Sequence, residues 1–178
     1  MSKNIVITGM RGTGKSRIGR KIAETLEKEF VDLDEEIENH EGISTAEIVG
    51  SKGWDYFRAV EKQMVEKFSK KKGLVISTGG GAIIDQENEK NLRENGFVIF
   101  LRCDIQKLAE RIKHSKNRPS LTEKNFVMEF KDVWEDRKKR YLESADLVFD
   151  VDKESEDKER DIETKANIIL KLLPDDCS

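Results

Sequence analysis

The sequence predicts an α/β protein: three layers, with a five-stranded parallel sheet and helices on both of its faces. Three observations carry this. Five short apolar runs, 4–8, 29–33, 74–78, 97–101 and 146–151, are separated by stretches of helical periodicity. Strand and helix alternating in that way build a parallel sheet with right-handed crossovers. The first run leads through a glycine-rich octet into the first helix. The first three runs also end in polar or glycine-rich residues, and ligands of such sheets bind beyond the carboxyl ends of the strands.

Taken in order, Ile5-Val6-Ile7 is the first strand, and Ile18, Ile22 and Leu26 mark the apolar side of a helix over 15–28. The second strand ends at Asp32-Leu33-Asp34, ahead of helices at 34–40 and 44–50. Ser44 and Glu47 form a capping box for the latter. The helix predicted over 53–71 places Trp54, Phe57, Val60, Met64 and Phe68 on one face at spacings of three and four, as a core-facing stripe. The third strand ends at Ser77-Thr78-Gly79-Gly80-Gly81, and then comes a helix over 86–95 with Gly96 as its C-terminal glycine. Helices at 105–114 and 123–142 are expected to be capped by Asp104 and Thr122. The stretch 150–160 is nearly all charged and reads as a surface loop before a last helix at 160–173; residues 174–178 are expected to fray.

A length of 178 residues fits one domain with a real core. Charged residues make up 39% and the formal net charge is −3, which argues against a nucleic-acid partner. The basic clusters Lys70-Lys71-Lys72 and Arg137-Lys138-Lys139-Arg140 read as solvated helix faces. Cys103 and Cys177 have no metal-ligand spacing and make no disulfide framework, so both are expected to be free thiols in a reducing cytoplasm. His40 and His114 are isolated. No leader peptide and no membrane span are expected.

Chemistry begins at Gly9-Met10-Arg11-Gly12-Thr13-Gly14-Lys15-Ser16, a phosphate-binding loop of the form G-x-x-x-x-G-K-S in the strand–loop–helix context it needs. Gly12, Thr13 and Gly14 supply backbone N–H groups to phosphate oxygens, and the helix adds its positive end. Lys15 reaches the β- and γ-phosphates, and Ser16 offers a hydroxyl to Mg²⁺. A nucleoside triphosphate is the expected ligand. Asp32 and Asp34, two apart at a strand end, are expected to point to the same face. One would orient the metal shell and the other an acceptor hydroxyl. Gly79, Gly80 and Gly81 remove side chains where backbone approaches a ligand. Arg58 and Glu61 lie one helical turn apart.

In their order and spacing these segments, with Asn117-Arg118-Pro119 and Arg137-Lys138-Lys139-Arg140-Tyr141, resemble shikimate kinase from residue 4 to about residue 151. The resemblance implies the P-loop fold of nucleoside-monophosphate-kinase type over a single kinase domain, 1–178. It implies phosphate loop 9–16, an acceptor-binding segment of about 33–61 and a lid of about 114–123. It implies transfer of the ATP γ-phosphate to the 3-hydroxyl of shikimate in aromatic amino-acid biosynthesis, by a cytoplasmic monomer. Asp34, Arg58, Gly80 and Arg137 would hold shikimate, the two arginines gripping its carboxylate. Lys15 and Ser16 would hold phosphate and magnesium, with Asp32 supporting the metal through water. Arg111 and Arg118 would belong to the adenine side and the lid. A proline common in the family after the last strand is missing from Val151-Asp152-Lys153-Glu154-Ser155-Glu156, so a relaxed nucleotide preference is expected. Gluconate kinase is the alternative within the fold, and a catalytically silent nucleotide-binding regulator the alternative outside enzymes. The second would be expected to have lost Lys15, Asp34 or a clamp arginine.

Overall fold

The computed structural model describes residues 2–113, 126–152 and 157–177; the side chains of 111–113 and 126–129 lie outside that description. Five strands, β1 (Asn4–Thr8), β2 (Glu29–Asp32), β3 (Leu74–Ser77), β4 (Gly96–Arg102) and β5 (Leu147–Asp150), form one parallel sheet in the order β2-β3-β1-β4-β5. The central strands are covered on both faces by helices. Ile5, Val6 and Ile7 are fully buried, as are Val98 to Leu101, so these strands read as continuous apolar runs instead of alternating ones. Register at the start of the sheet is set by buried Asn4. Its side-chain amide donates to the Lys71 carbonyl and its oxygen accepts from Leu74 N–H, at 2.8 and 2.9 Å.

The helices are α1 (Lys15–Thr25), α2 (Leu33–Glu41), α3 (Thr45–Ser69), α4 (Gln86–Glu94), α5 (Ile105–Lys113), α6 (Phe126–Ser144) and α7 (Lys158–Leu170). The capping box closes as expected: Ser44 N–H donates to Glu47 Oε2 at 2.9 Å and Glu47 N–H to Ser44 Oγ at 3.3 Å. Asp104 caps α5 through the N–H groups of Gln106 and Lys107. Thr122 lies outside the described residues. No described helix is long and apolar enough to cross a membrane.

The break predicted near residue 52 is present: α3 is two helical stretches that meet at Gly53, with φ 83° and ψ 171°. Beyond it Phe57, Val60, Met64 and Phe68 are buried as predicted, but Trp54, in the first turn after the break, is 41% exposed. Other expectations are corrected too. β2 ends at Asp32, whose carboxylate accepts from Asp34 N–H at 3.0 Å and starts α2 there, so Asp34 lies on a helix and not on the strand. Asn95, not Gly96, ends α4; Gly96 opens β4, where an added Cβ would stand 2.8 Å from Val6 Cγ2. The basic cluster on α6 is not wholly solvated, since Arg137 and Arg140 are half-buried and Arg140 pairs with Glu89 at 2.9 Å.

The expectation of a frayed end is wrong as well. Asp175–Cys177 form a short 3-10 turn, Cys177 is fully buried, and Lys3 N–H donates to the Asp176 carbonyl at 2.7 Å. Lys28 donates to the Cys177 carbonyl. These anchors come from far along the chain. Cys103 and Cys177 are both buried and neither is in a disulfide; Cys103 Sγ donates to Asp152 Oδ1 at 3.1 Å.

Candidate active site

At the carboxyl edge of the sheet the chain leaves β1 through the phosphate loop. Gly9, Gly12 and Gly14 have φ of 147°, 86° and 89°, in the region that side chains with a Cβ avoid. Gly14, at φ 89° and ψ 18°, is the N-cap of α1 and offers no side-chain cap. The first N–H groups of α1 therefore keep their capacity for an anion. The loop closes on the Met10 carbonyl, which accepts from Thr13 Oγ1 at 2.9 Å and from Lys15 Nζ at 3.1 Å. Lys15 is thus folded back over the loop it belongs to.

β2 and β3 deliver the next groups. Ser16 Oγ donates to Asp32 Oδ2 at 2.5 Å and stands 3.5 Å from Ser77 Oγ. Asp32 is 7% exposed and divides its oxygens, one on Ser16 and one on the α2 cap. One carboxylate thus caps a helix and stands at the edge of the phosphate loop. Asp34, from the first turn of α2, brings its Oδ1 to within 2.8 Å of where a Cβ on Gly79 would lie. The two acids converge on one edge of the sheet, by a helix turn instead of a strand face.

The Gly79–Gly81 segment is glycine because charged side chains crowd against it. A Cβ on Gly79 would also stand 2.9 Å from Glu61 Oε1, and one on Gly81 would stand 2.6 Å from Arg58 Nη1. Arg137 Nη1 donates to the Gly80 carbonyl at 3.1 Å. Four separated segments thus place two guanidinium groups and two carboxyl groups around three glycines, beside the phosphate loop.

Arg58 is held in place. Its Nη1 bonds to Glu61 Oε2 at 2.5 Å, and its guanidinium lies 5.4 Å from the Trp54 ring centroid and 5.3 Å from that of Phe57. Glu61 is 1% exposed, and its other oxygen, Oε1, has no hydrogen-bond partner among the described residues. Burial outweighs the Arg58 guanidinium and pushes the Glu61 carboxyl above the usual carboxylate range; the charge of Asp34 adds to this and that of Arg137 opposes it. An orphaned buried oxygen aimed at a glycine bend marks a place for a ligand donor.

The predicted residues brought together here are Gly12, Thr13, Gly14, Lys15, Ser16, Asp32, Asp34, Arg58, Gly79, Gly80, Gly81 and Arg137. Arg118 and the segment 114–123 lie outside the described residues, as does the side chain of Arg111, whose backbone is on α5. Sequence reasoning gives Glu61 no role of its own; its i+3 spacing on the buried side of a helix is the available signal. Met10 escapes sequence reasoning altogether. Its role is carried by its carbonyl, on which side-chain chemistry is silent.

A family model described as shikimate kinase matches residues 11–172. The shikimate kinase of Persephonella marina is 44% identical over 142 residues, 80% of this chain and 85% of that protein. That of Caldanaerobacter subterraneus subsp. tengcongensis is 40% identical over 149 residues, 84% of this chain and 86% of that protein. Among solved structures, shikimate kinase from Acinetobacter baumannii in complex with shikimate superposes with a TM-score of 0.87 at 31% identity, covering 97% of this chain and 93% of that one.

Proposed function

The chain belongs to the shikimate kinase family, and from that premise we propose that it transfers the γ-phosphate of ATP to the 3-hydroxyl of shikimate. The observation that carries the reading is the set of opposed charges around Gly79–Gly81, next to the phosphate loop. Shikimate is a small anionic polyol. The guanidinium groups of Arg58 and Arg137 suit its planar carboxylate better than ammonium groups would. The carboxylate of Asp34 suits its hydroxyls.

Phosphoryl transfer needs alignment and charge neutralisation more than covalent help from the protein. The phosphate loop holds the triphosphate through backbone N–H groups and the start of α1. Lys15 moves off the Met10 carbonyl onto the β- and γ-phosphates, where its charge counts most as the transfer proceeds. Asp34 accepts a hydrogen bond from the acceptor hydroxyl and takes its proton as the new O–P bond forms and the β–γ bridge breaks. Arg118, from the segment 114–123, closes over the phosphates, and Arg111 takes the adenine side. This reading treats residues 1–178 as one kinase domain, working as a cytoplasmic monomer.

Magnesium belongs to the same reading. The Ser16 hydroxyl and the Asp32 carboxylate are hard oxygens 2.5 Å apart, and Mg²⁺ takes one or two protein oxygens beside phosphate and water. Ser16 would hold it directly and Asp32 through water; bound there it neutralises charge on the β- and γ-phosphates.

The test is ADP release in a coupled assay with shikimate, quinate, gluconate and AMP as rival acceptors. Turnover with shikimate far above the other three is the expected result. Equal turnover with gluconate or AMP would sink the acceptor assignment.

A further inference from the structure

Gly80 carries one carbonyl oxygen that receives two donors, both from α6. One is Arg137 Nη1, at 3.1 Å. The other is the hydroxyl of Tyr141, one turn further along the same helix. The flanking carbonyls are fixed within their own turn: Ala82 N–H donates to Gly79 and Ile84 N–H to Gly81, at 3.2 and 3.1 Å. Among the described residues, the middle peptide therefore takes its direction from α6. None of the three glycines has a side chain to select it otherwise.

Tyr141 is built as a fixed post. It is fully buried, its ring stacked on Phe100 at 4.9 Å and 6° and lying 6.4 Å from Trp134 at 23°. Its hydroxyl also stands 3.8 Å from Met10 Sδ, in the phosphate loop. Burial pushes the phenol up to about 12, against a smaller opposing pull from Arg137, so the hydroxyl keeps its proton at neutral pH.

We infer that Tyr141 is a positioning residue for the acceptor: its hydroxyl sets the Gly80–Gly81 peptide and registers that bend against the phosphate loop. Peptide planarity is the link. Once the Gly80 carbonyl is turned toward α6, the Gly81 N–H of the same rigid unit must point the opposite way. Arg137 divides its N–H donors between that carbonyl and the ligand, and its flexible side chain moves with the ligand; the Tyr141 hydroxyl holds the carbonyl from a ring fixed in the core. The inference rests on the reading that shikimate lies against Gly79–Gly81. A tyrosine that merely fills the core predicts that its ring matters and its hydroxyl does not.

The experiment compares the unmodified chain with Tyr141→Phe in steady-state kinetics for both substrates, alongside thermal unfolding. The expected result is a KM for shikimate raised about tenfold, the scale of one lost hydrogen bond, with KM for ATP within about twofold. Unchanged KM values in the folded variant overturn the inference. So do equal losses for shikimate and ATP accompanied by a lowered Tm. A tetrafluorinated tyrosine at position 141 keeps the ring and the hydroxyl but acidifies it strongly enough to ionise within the assay range, which guards against a misfolded variant. Its KM for shikimate should climb as pH rises through the new ionisation, where the unmodified chain shows no such climb; a flat profile overturns the inference. Failure of the unmodified chain to turn over shikimate overturns the function itself and this role with it. Normal turnover with indifferent variants overturns Tyr141 alone.

Discussion

The two halves of the candidate site are built in different ways. The phosphate loop is eight consecutive residues held by backbone: three glycines at positive φ, one carbonyl accepting two side chains, and a helix start without a cap. The acceptor side is four distant segments held by charged side chains, one of them a buried carboxyl with an orphaned oxygen. A backbone site tolerates change in its neighbours, because its shape is local. A side-chain site depends on every partner, and its electrostatics shift when any one is removed.

The sharpest way to break the comparison is at Asp34, which faces the acceptor. Asp34→Asn keeps the size and one acceptor oxygen but removes the charge. The expected fall in kcat is about 10²–10⁴-fold, the range for a positioned acid–base group, with ATP affinity within about threefold. Full activity would leave Asp34 a mere occupant of the first turn of α2. On the nucleotide side, Lys15→Met should lower kcat by about 10²-fold or more, as for a lost oxyanion-type contact, without lowering Tm. Near-normal turnover there would take the lysine out of the mechanism.

Arg58→Ala tests whether the halves are energetically separate. Shikimate binding should weaken by about 2–5 kcal/mol, since the acceptor's carboxylate is left buried without its guanidinium partner. ADP binding should barely change. Titration of each ligand separately reads this, and equal losses would show the two halves to be one cooperative unit.

The smallest expected effect is a slope. The folded Glu61 carboxyl titrates above its ordinary value of 4.5, so the folded state binds the proton more tightly than the unfolded state does. The contribution of Glu61 to stability is therefore highest at acid pH. It declines as pH rises from that ordinary value through the raised one. Glu61→Gln should remove this decline. Denaturant unfolding between pH 4 and pH 8 checks it, and an unaltered pH dependence in the variant would mean that the Arg58 pair cancels the burial cost.

How far the sequence can be read obeys the same division. The octet at 9–16 is contiguous and legible whole, as are the five strands, whose apolar runs need no partner to be seen. Periodicity misplaces Trp54 because spacing gives a side chain's face but not how far the core reaches, and Trp54 stands in the first turn after Gly53, at the margin of the core. It assigns Asp34 to the strand because the cap made by Asp32 depends on an angle, not on a residue type. The anchored end is hidden because Pro174-Asp175-Asp176-Cys177 has the composition of a loose tail. Its anchors are Lys3 and Lys28, far away in the chain. Tyr141 is visible within a motif, but its role depends on Gly80 lying across from it, a coincidence of folding that no spacing encodes.

The two outermost strands of the sheet, β2 and β5, are four residues long, and each ends in an aspartate at its carboxyl side. Glu29 opens one and Asp146 precedes the other, and both are exposed. An edge that is short and has an exposed acid where it begins is a poor template for a further strand. Two copies meeting in concentrated solution find little main chain to zip together and mutual repulsion where it begins. The sheet can thus stay open at both sides without inviting ordered aggregation.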